Sequence, residues 1–275
     1  MKQTVHALWI GDQLSPVELL CIHSFLNFGY SFHLWIYSPI ENIPEQVVVC
    51  DANEILTSKH IFRYNHTNQF GHGKGSLAGF SDIFRYKLLY EKGGIWVDMD
   101  ITCLKAIDIA GEYIFRYHGK EGVVGNFIKC PPKSAVMKYC YEKAVKLVNA
   151  DNTDWMLPLR ILREGIYSYN LQNFIYNISN EDSWLVIVKL LKKNIPLPDW
   201  YFIHWVNEEF RNQGIGKDQY LETSVMHHLL EDYDIPHTVI KNSDEIRKYK
   251  WKVSRIYYTY LHFKNLFDRI FSTSR

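Results

Sequence analysis

The sequence lacks several features that would mark particular classes of protein. It has no long apolar run, and residues 1–10 contain a single lysine, so we expect neither a signal peptide nor a membrane anchor. Its 31 Lys and Arg residues nearly balance 30 Asp and Glu residues, which argues against a dedicated nucleic-acid binder. We therefore expect a cytoplasmic protein that has no nucleic-acid partner.

Cysteine is scarce and scattered. The five cysteines include no Cys-x-x-Cys pair, which indicates reduced thiols and not a disulfide framework or a cysteine zinc site. Cys21, Cys103 and Cys140 lie in apolar stretches, where we expect them to pack in the core. A hydrophobic content of 47% with 22% charged residues predicts a folded chain with a substantial core.

The opening of the chain has the pattern of an α/β fold. Val5–Ile10 and Phe32–Tyr37 have the composition of strands, and Val47–Val49 predicts a third. Between the first two, Ser15 is a good helix cap, and the helix should run to about Asn27. A strand, helix and strand in succession predict a parallel pairing with a right-handed crossover.

The strongest helical pattern covers Ser76–Lys92, before Gly93. Its apolar residues recur at spacings of three and four, which predicts that they face the core: Leu77, Phe80, Phe84 and Leu88. Asp82 and Arg85 then fall together on another face. Later segments predict a helix over 134–149, an extended segment over 199–206 and a short helix over 220–230.

Two acidic residues follow this helix at the end of a strand pattern. Ile95–Ile101 alternates so that Asp98 and Asp100 share one side, about 6.6 Å apart in a regular strand. Ligand sites in open α/β sheets lie at the carboxyl ends of strands. At that spacing we expect one carboxylate to bind a metal ion and the other a sugar hydroxyl or metal-bound water. A second Asp-x-Asp, at 232–234, is expected to be a solvated turn.

Three segments resemble glycosyltransferase family 32. The run Ser81–Tyr90 followed by Gly93–Asp100 resembles the sugar-binding DXD region of that family. His6–Gly11 looks like its opening strand, and Ile203–Glu208 is similar to its late His-containing motif. The family includes bacterial capsule and lipopolysaccharide transferases and yeast mannosyltransferases.

The resemblance implies an α/β fold of the GT-A type, with a mixed, mainly parallel sheet flanked by helices and additional C-terminal helices. It would occupy residues 1–245. It further implies a UDP- or GDP-sugar donor, Mn²⁺ or Mg²⁺, and retention of anomeric configuration. The hexose would pass to a glycan or glycolipid acceptor, as in bacterial capsule or lipopolysaccharide biosynthesis.

The same resemblance assigns roles to individual residues. Asp100 is the expected direct metal ligand, and Asp98 the contact to the donor's ribose and a metal-bound water. Asp82 and Arg85 are expected to hold the transferred sugar. These four are the catalytic candidates.

Further contacts are expected around them. Trp9, with Ile10, is the candidate lining of the base pocket. His204 is the candidate third metal ligand or diphosphate contact, although a His between Trp200 and Trp205 also fits a core or surface position. Asn126 is a candidate for contact with the sugar donor or with the acceptor substrate. The alternative is that it only forms a turn.

The C-terminal tail, residues 246–275, is basic and aromatic. From residue 247 onwards it has eight Lys and Arg residues against one acid, interleaved with aromatic residues, as in a helix lying in a membrane interface. This pattern predicts peripheral docking on the inner face of the cytoplasmic membrane. A helix packed on the domain with a solvated basic face is the alternative.

Two other functions fit parts of the sequence. Asp98-Met99-Asp100-Ile101-Thr102 also matches the nucleophile motif of haloacid-dehalogenase-like phosphohydrolases, with Asp98 as nucleophile and Asp100 as acid. That motif normally opens its domain, whereas about 97 residues precede it here, and no later Gly-Asp-x-x-x-Asp motif follows. A non-catalytic sugar-binding homologue would have lost the acidic pair, which is intact.

Overall fold

A computed structural model describes residues 3–119, 121–250, 252 and 253. These residues form two compact units. The first contains the described residues up to Glu181 together with Asp199–His204. The second contains Asp182–Pro198 and the described residues from Trp205 onwards.

The first unit is built on a seven-stranded sheet in the order β3-β2-β1-β4-β7-β6-β8. Its strands are β1 (Thr4–Trp9), β2 (Ser31–Ile36), β3 (Val48–Asp51), β4 (Gly94–Val97), β6 (Ile114–Arg116), β7 (Val124–Cys130) and β8 (Ile175–Tyr176). Four neighbouring pairs are parallel, and β7 runs antiparallel to both β4 and β6. The expected mixed, mainly parallel sheet is therefore confirmed.

A small two-stranded sheet accompanies it in the same unit. β5 (Ile101–Cys103) pairs antiparallel with β9 (Phe202–His204), and the register sets Ile101 opposite His204. The expected extended segment over 199–206 is confirmed in its central part, and its partner is the strand that follows the Asp-x-Asp motif.

Helices cover both faces of the large sheet. They are α1 (Pro16–Asn27), α2 (Ala78–Lys92), α3 (Ala135–Leu147) and α4 (Leu157–Ser168). One apolar core lies between the sheet and α2, α3 and α4, and the other contains the buried side of α1. In β4, Trp96 enters the first core and Ile95 and Val97 the second, because strand side chains alternate. This three-layer arrangement confirms the α/β fold class.

The local predictions for the first two helices hold. Ser15 and Glu18 form a capping box at the start of α1, with Pro16 in the first turn. In α2, Phe80, Phe84 and Leu88 are buried, while Leu77 at the helix start is half-buried. Three buried thiols, Cys21, Cys103 and Cys140, are core residues as expected, and no disulfide is formed among the described cysteines.

The second unit contains α5 (Trp184–Lys192), α6 (Asn207–Gln213), β10 (Gln219–Leu221), α7 (Val225–Asp232) and β11 (Thr238–Ile240). β10 and β11 pair in parallel, so the helix expected over 220–230 is wrong in its first residues, where β10 lies. Asp232 and Asp234 are exposed, and the left-handed φ of 52° at Asp234 is consistent with the expected turn.

Residues 243–250, 252 and 253 are helical, and Tyr249 and Val253 in this segment are buried. The rest of the expected membrane-docking helix, 254–275, lies outside the described residues. Among the residues that the structure does describe, no helix has the length and apolar content needed to cross a bilayer.

Candidate active site

The motif Asp98-Met99-Asp100 forms a turn directly after β4. We expected one continuous strand over residues 95–101, and the structure contradicts this. The Asp98 N–H still donates to the Asn126 carbonyl of β7, but the Ile101 N–H then donates to the Asp98 carbonyl at 3.2 Å. Asp favours turns over strands, which explains the break. The spacing of about 6.6 Å for a regular strand therefore does not apply.

The Asp98 carboxylate, which is 28% exposed, belongs to a charged cluster with two buried residues of α2. Arg85 Nη2 lies 3.1 Å from Asp98 Oδ1 and 3.4 Å from Asp82 Oδ1. The i, i+3 spacing in α2 brings Asp82 and Arg85 to the same face, as predicted. One guanidinium thus bridges two carboxylates from different elements.

Neighbouring residues fix the position of this guanidinium. The Arg85 Cζ atom lies 5.2 Å from the centre of the Trp96 ring, in a cation–π contact. The indole Nε1 of Trp96 donates to Asp98 Oδ1 at 2.8 Å. Gly125 also provides space for the guanidinium, because a Cβ there would stand 2.8 Å from Arg85 Nη1. The absence of a side chain at residue 125 therefore allows the close approach of Arg85 to β7.

Burial changes the acidity of both carboxylates. It raises the pKa of Asp82 to about 6, a rise that Arg85 opposes and Asp98 reinforces. Burial also raises the pKa of Asp98, opposed by Arg85 and reinforced by repulsion from Asp100. A cation bound at these acids would favour their charged forms.

The raised pKa of Asp82 predicts a pH dependence of stability. The pKa of Asp82 is about 6 in the folded protein, compared with 3.8 in the unfolded chain. A carboxyl with a raised folded pKa contributes stability that is fully present below the unfolded pKa. This contribution is lost as the pH rises through the folded pKa, about 6. We compare wild type with Asp82→Asn, which cannot ionise at this residue. The free energy of unfolding of wild type should fall relative to that of the variant by up to about 3 kcal/mol between pH 3.8 and about pH 6. Urea unfolding between pH 4 and 7 measures it. A flat or rising difference would contradict the prediction.

Asp100 is paired with His204. The Asp100 Oδ2 and His204 Nε2 atoms are 3.3 Å apart, and both side chains are largely buried. The register of β5 and β9 produces this contact, since Ile101 stands opposite His204. The carboxylate and the imidazole, about a hundred residues apart in sequence, therefore meet through a pairing of three residues on each strand.

A buried asparagine that the sequence analysis did not identify holds the backbone of His204. Asn180 Oδ1 accepts from the His204 N–H at 2.8 Å, and its Nδ2 donates to the His204 carbonyl at 3.1 Å. Arg116, also buried, donates to the Asn180 carbonyl at 2.6 Å and to Asn126 Oδ1 at 3.3 Å. This polar network connects Asn126 with the strand that carries His204.

Removing the Asn180 side chain should release His204. Asn180→Ala leaves the buried N–H and C=O of His204 without these partners, so we expect a loss of about 2–5 kcal/mol in the free energy of unfolding. Any affinity of the Asp100–His204 pair for Mn²⁺, the ion expected there, should fall with it. Thermal unfolding and calorimetry measure both, with exposed Asn177→Ala as the control. Equal behaviour of the two variants would contradict a positioning role for Asn180.

Asn126 is buried on β7, and its amide Nδ2 has no hydrogen-bond partner among the residues that the structure describes. A buried donor without a partner is costly, which makes it a candidate for contact with a bound ligand. The alternative of a turn does not fit, because Asn126 lies within a strand.

The expected base-pocket residues lie at the same edge of the sheet. Trp9 ends β1, which runs parallel to β4, and the half-buried Ile10 follows it. The Trp9 indole Nε1 donates to the Gln13 carbonyl at 3.0 Å, which orients the ring. Trp9, Ile10 and Asp98 thus lie at the carboxyl ends of the neighbouring strands β1 and β4, with Trp9 and Ile10 packed on opposite faces of the sheet.

The donor set suits a divalent ion with oxygen and nitrogen ligands. Carboxylates and an imidazole are ligands that Mn²⁺ accepts, and carboxylates suit Mg²⁺. The structure brings Asp100 and His204 together, whereas Asp98 is held by Arg85 and Trp96. Of the three residues expected at the metal site, Asp100 and His204 are therefore adjacent, while Asp98, expected to reach the ion through a bound water, makes a different set of contacts.

One family model and one curated protein match parts of this chain. Residues 31–115 match the family model described as glycosyltransferase sugar-binding region containing DXD motif, and this range includes Asp82, Arg85, Asp98 and Asp100. An uncharacterized glycosyltransferase of Acanthamoeba polyphaga mimivirus is 25% identical over 196 residues, covering 65% of this chain and 70% of that protein.

Solved structures of glycosyltransferases overlap part of the fold. PaToxG glycosyltransferase has a TM-score of 0.40 at 12% identity, covering 61% of this chain and 68% of its own. The apo form of glycosyltransferase GlyE from Streptococcus pneumoniae TIGR4 has a TM-score of 0.41 at 10% identity. The overlap covers 92% of this chain and 64% of the GlyE chain. These overlaps are too distant to assign individual residues.

The family match favours the glycosyltransferase interpretation of Asp98-Met99-Asp100 over the phosphohydrolase one, because the matched region contains the motif. The match does not show that the chain belongs to glycosyltransferase family 32 in particular, and that assignment stays a prediction. Taken with the mixed, mainly parallel sheet, the match supports a glycosyltransferase of GT-A type, whose sugar-binding region with its DXD motif lies within residues 31–115.

Proposed function

We propose that the chain is a metal-dependent glycosyltransferase that moves a hexose from a UDP- or GDP-sugar to a glycan or glycolipid acceptor. The observation that carries the proposal is the Asp100–His204 pair, 3.3 Å apart, next to Asp98 in a turn at the carboxyl end of β4. The family match to the surrounding residues supports the same activity.

Asp100 and His204 would hold the ion, Mn²⁺ or Mg²⁺, with Asp98 contacting the donor's ribose and a water of the ion. When bound, the ion stabilises the negative charge that gathers on the diphosphate leaving group. Asn180 fixes the backbone of His204, and the turn at residues 98–101 fixes Asp100. The chain thus supplies a preorganised pair of ligands.

The donor sugar is proposed to lie against Asp82 and Arg85. The planar Arg85 fork suits hydroxyl and phosphate oxygens, and Asp82 accepts hydrogen bonds from hydroxyls. Asn126 Nδ2, a buried donor without a partner among the described residues, is proposed to donate to the same ligand. Trp9, with Ile10, offers an aromatic surface for the nucleobase.

We infer retention of configuration, as the resemblance implies. In that reaction the leaving phosphate accepts the proton of the acceptor hydroxyl on the face where the new glycosidic bond forms. The chain would then need no side chain as general base. The anomeric configuration of the product, determined by NMR, tests this inference, and an inverted product would overturn it.

The acceptor is proposed to be a bacterial surface glycan or glycolipid, with residues 246–275 docking at the inner face of the cytoplasmic membrane. Because Tyr249 and Val253 are buried, a truncation must keep them. We expect a chain ending at residue 253 to lose co-sedimentation with anionic liposomes while unfolding like wild type. Unchanged lipid binding would contradict membrane docking by the tail.

Calorimetric titration with a panel of UDP- and GDP-sugars, with and without Mn²⁺, tests the central proposal. Metal-dependent binding of one donor would support it and identify the nucleotide. No donor binding, together with hydrolysis of small phosphate esters, would overturn it in favour of the phosphohydrolase alternative.

A further inference from the structure

Three potential metal ligands meet in the second unit, away from the matched sugar-binding region in sequence. His227 and Glu231 lie on α7, and His237 precedes β11. One ligand atom from each lies within 4.8 Å of the other two. Within the described ranges, no other group of three His, Cys, Asp or Glu residues converges this closely.

The local structure explains how the three residues meet. The i, i+4 spacing places His227 and Glu231 on the same face of α7. Ser224 caps this helix by accepting from the His227 N–H at 3.0 Å, which fixes its first turn. The chain then turns back through Asp234, at a positive φ, so that His237 returns to that face.

Hydrogen bonding prepares His237 as a ligand. Its Nδ1 lies 2.8 Å from the Ile235 carbonyl, and because a carbonyl only accepts, Nδ1 carries the proton. Nε2 of the neutral ring therefore presents a lone pair. That atom is 2.8 Å from His227 Nδ1 and 3.7 Å from Glu231 Oε1. A ligating histidine typically has this type of bond from its other nitrogen.

We propose that His227, Glu231 and His237 form a Zn²⁺ site that ties α7 to the start of β11. Two imidazoles and one carboxylate are a donor set that zinc accepts, with a water completing a tetrahedron. The site shares no residue with the Asp100–His204 pair and does not depend on the proposed transferase activity.

Binding replaces the hydrogen bond in which His227 Nδ1 donates to His237 Nε2, so the His227 proton leaves Nδ1 for its own Nε2 and the two rings move slightly apart. Two nitrogens on a tetrahedral Zn²⁺ stand about 3.3 Å apart when each Zn–N bond is about 2.0–2.1 Å, compared with the present 2.8 Å. Glu231 is exposed, so its side chain is free to close on the ion.

The test uses full-length, tag-free protein carrying Asp100→Ala, which weakens the proposed donor site. Zn²⁺ titration by calorimetry should show one bound ion and a higher melting temperature. His227→Gln and Glu231→Gln should each weaken Zn²⁺ binding by more than about 100-fold, because even changes beyond the direct ligands cost about 10–100-fold. Co²⁺ in place of zinc should give a tetrahedral absorption spectrum that both variants lose.

The adjacent His228 supplies a matched control. Its Nδ1 lies 2.8 Å from the Ser224 carbonyl, and it is not one of the three converging ligands. His228→Gln should therefore bind Zn²⁺ like its parent. Absence of Zn²⁺ binding, or equal affinities of the His227→Gln, Glu231→Gln and His228→Gln proteins, would overturn the site. Donor titration of the chain with Asp100 intact reports on the transferase proposal independently.

Discussion

Asp100→Ala is expected to lower the rate of sugar transfer on the order of 10³-fold, because it removes a proposed metal ligand and with it stabilisation of charge on the leaving group. Mn²⁺-dependent donor binding should disappear in calorimetry. Folding should survive, since the substitution shortens a side chain at a turn and leaves the bond from the Ile101 N–H to the residue 98 carbonyl in place.

The second Asp-x-Asp provides a matched control. Asp232 is exposed at the end of α7, so Asp232→Ala should leave both the transfer rate and donor affinity unchanged. An Asp100→Ala protein that still binds donor in a metal-dependent manner would remove Asp100 from the proposed site.

Arg85→Ala is expected to lower the free energy of unfolding by about 3–5 kcal/mol, because it leaves two carboxylates facing each other without the guanidinium between them. Only 6% of the Arg85 side chain is exposed, so water does not replace it well. Sugar transfer should be lost as well. Denaturant unfolding and a transfer assay in folding conditions measure the two effects.

The ion pair of Arg160 with Asp154 is the control for charge removal alone. Those side chains are 35% and 39% exposed, so Arg160→Ala should cost at most about 1 kcal/mol. The double variant Arg85→Ala/Asp82→Asn should recover part of the lost stability. That recovery would support repulsion between the two carboxylates as the cause of the loss. Equal losses for the Arg85 and Arg160 variants would contradict the prediction.

Local patterns in the sequence predicted much of this geometry. Helix periodicity predicted that Asp82 and Arg85 share one face of α2. The Gly-Gly break and the strand pattern after it predicted that Asp98 lies at a strand end. Both are local properties of the sequence. The pattern failed where two elements compete for the same residues. Apolar alternation continued through Met99 to Ile101, and these residues do join the same core, but the backbone leaves the sheet at Asp98.

The partners of Asp100 and His204 were harder to predict. Asn180 contributes through hydrogen bonds to the backbone of a distant strand, and no local sequence pattern reports such a contact. Arg116 did leave a signal, because a charge directly after the apolar residues Ile114 and Phe115 is unusual in a central strand. Its role depends on which residues face it across the sheet, and that is decided by topology.

The pairing of β5 with β9 also affects when the site can form during folding. The two strands are separated by about a hundred residues, so closing this loop carries an entropic cost that grows with its length. The helix and strand that carry Asp82, Arg85 and Asp98 are neighbours in the chain and can associate early. On a ribosome, His204 emerges only after the large sheet has been synthesised. The nascent chain should therefore acquire its charged cluster first and complete the Asp100–His204 pair among its last steps.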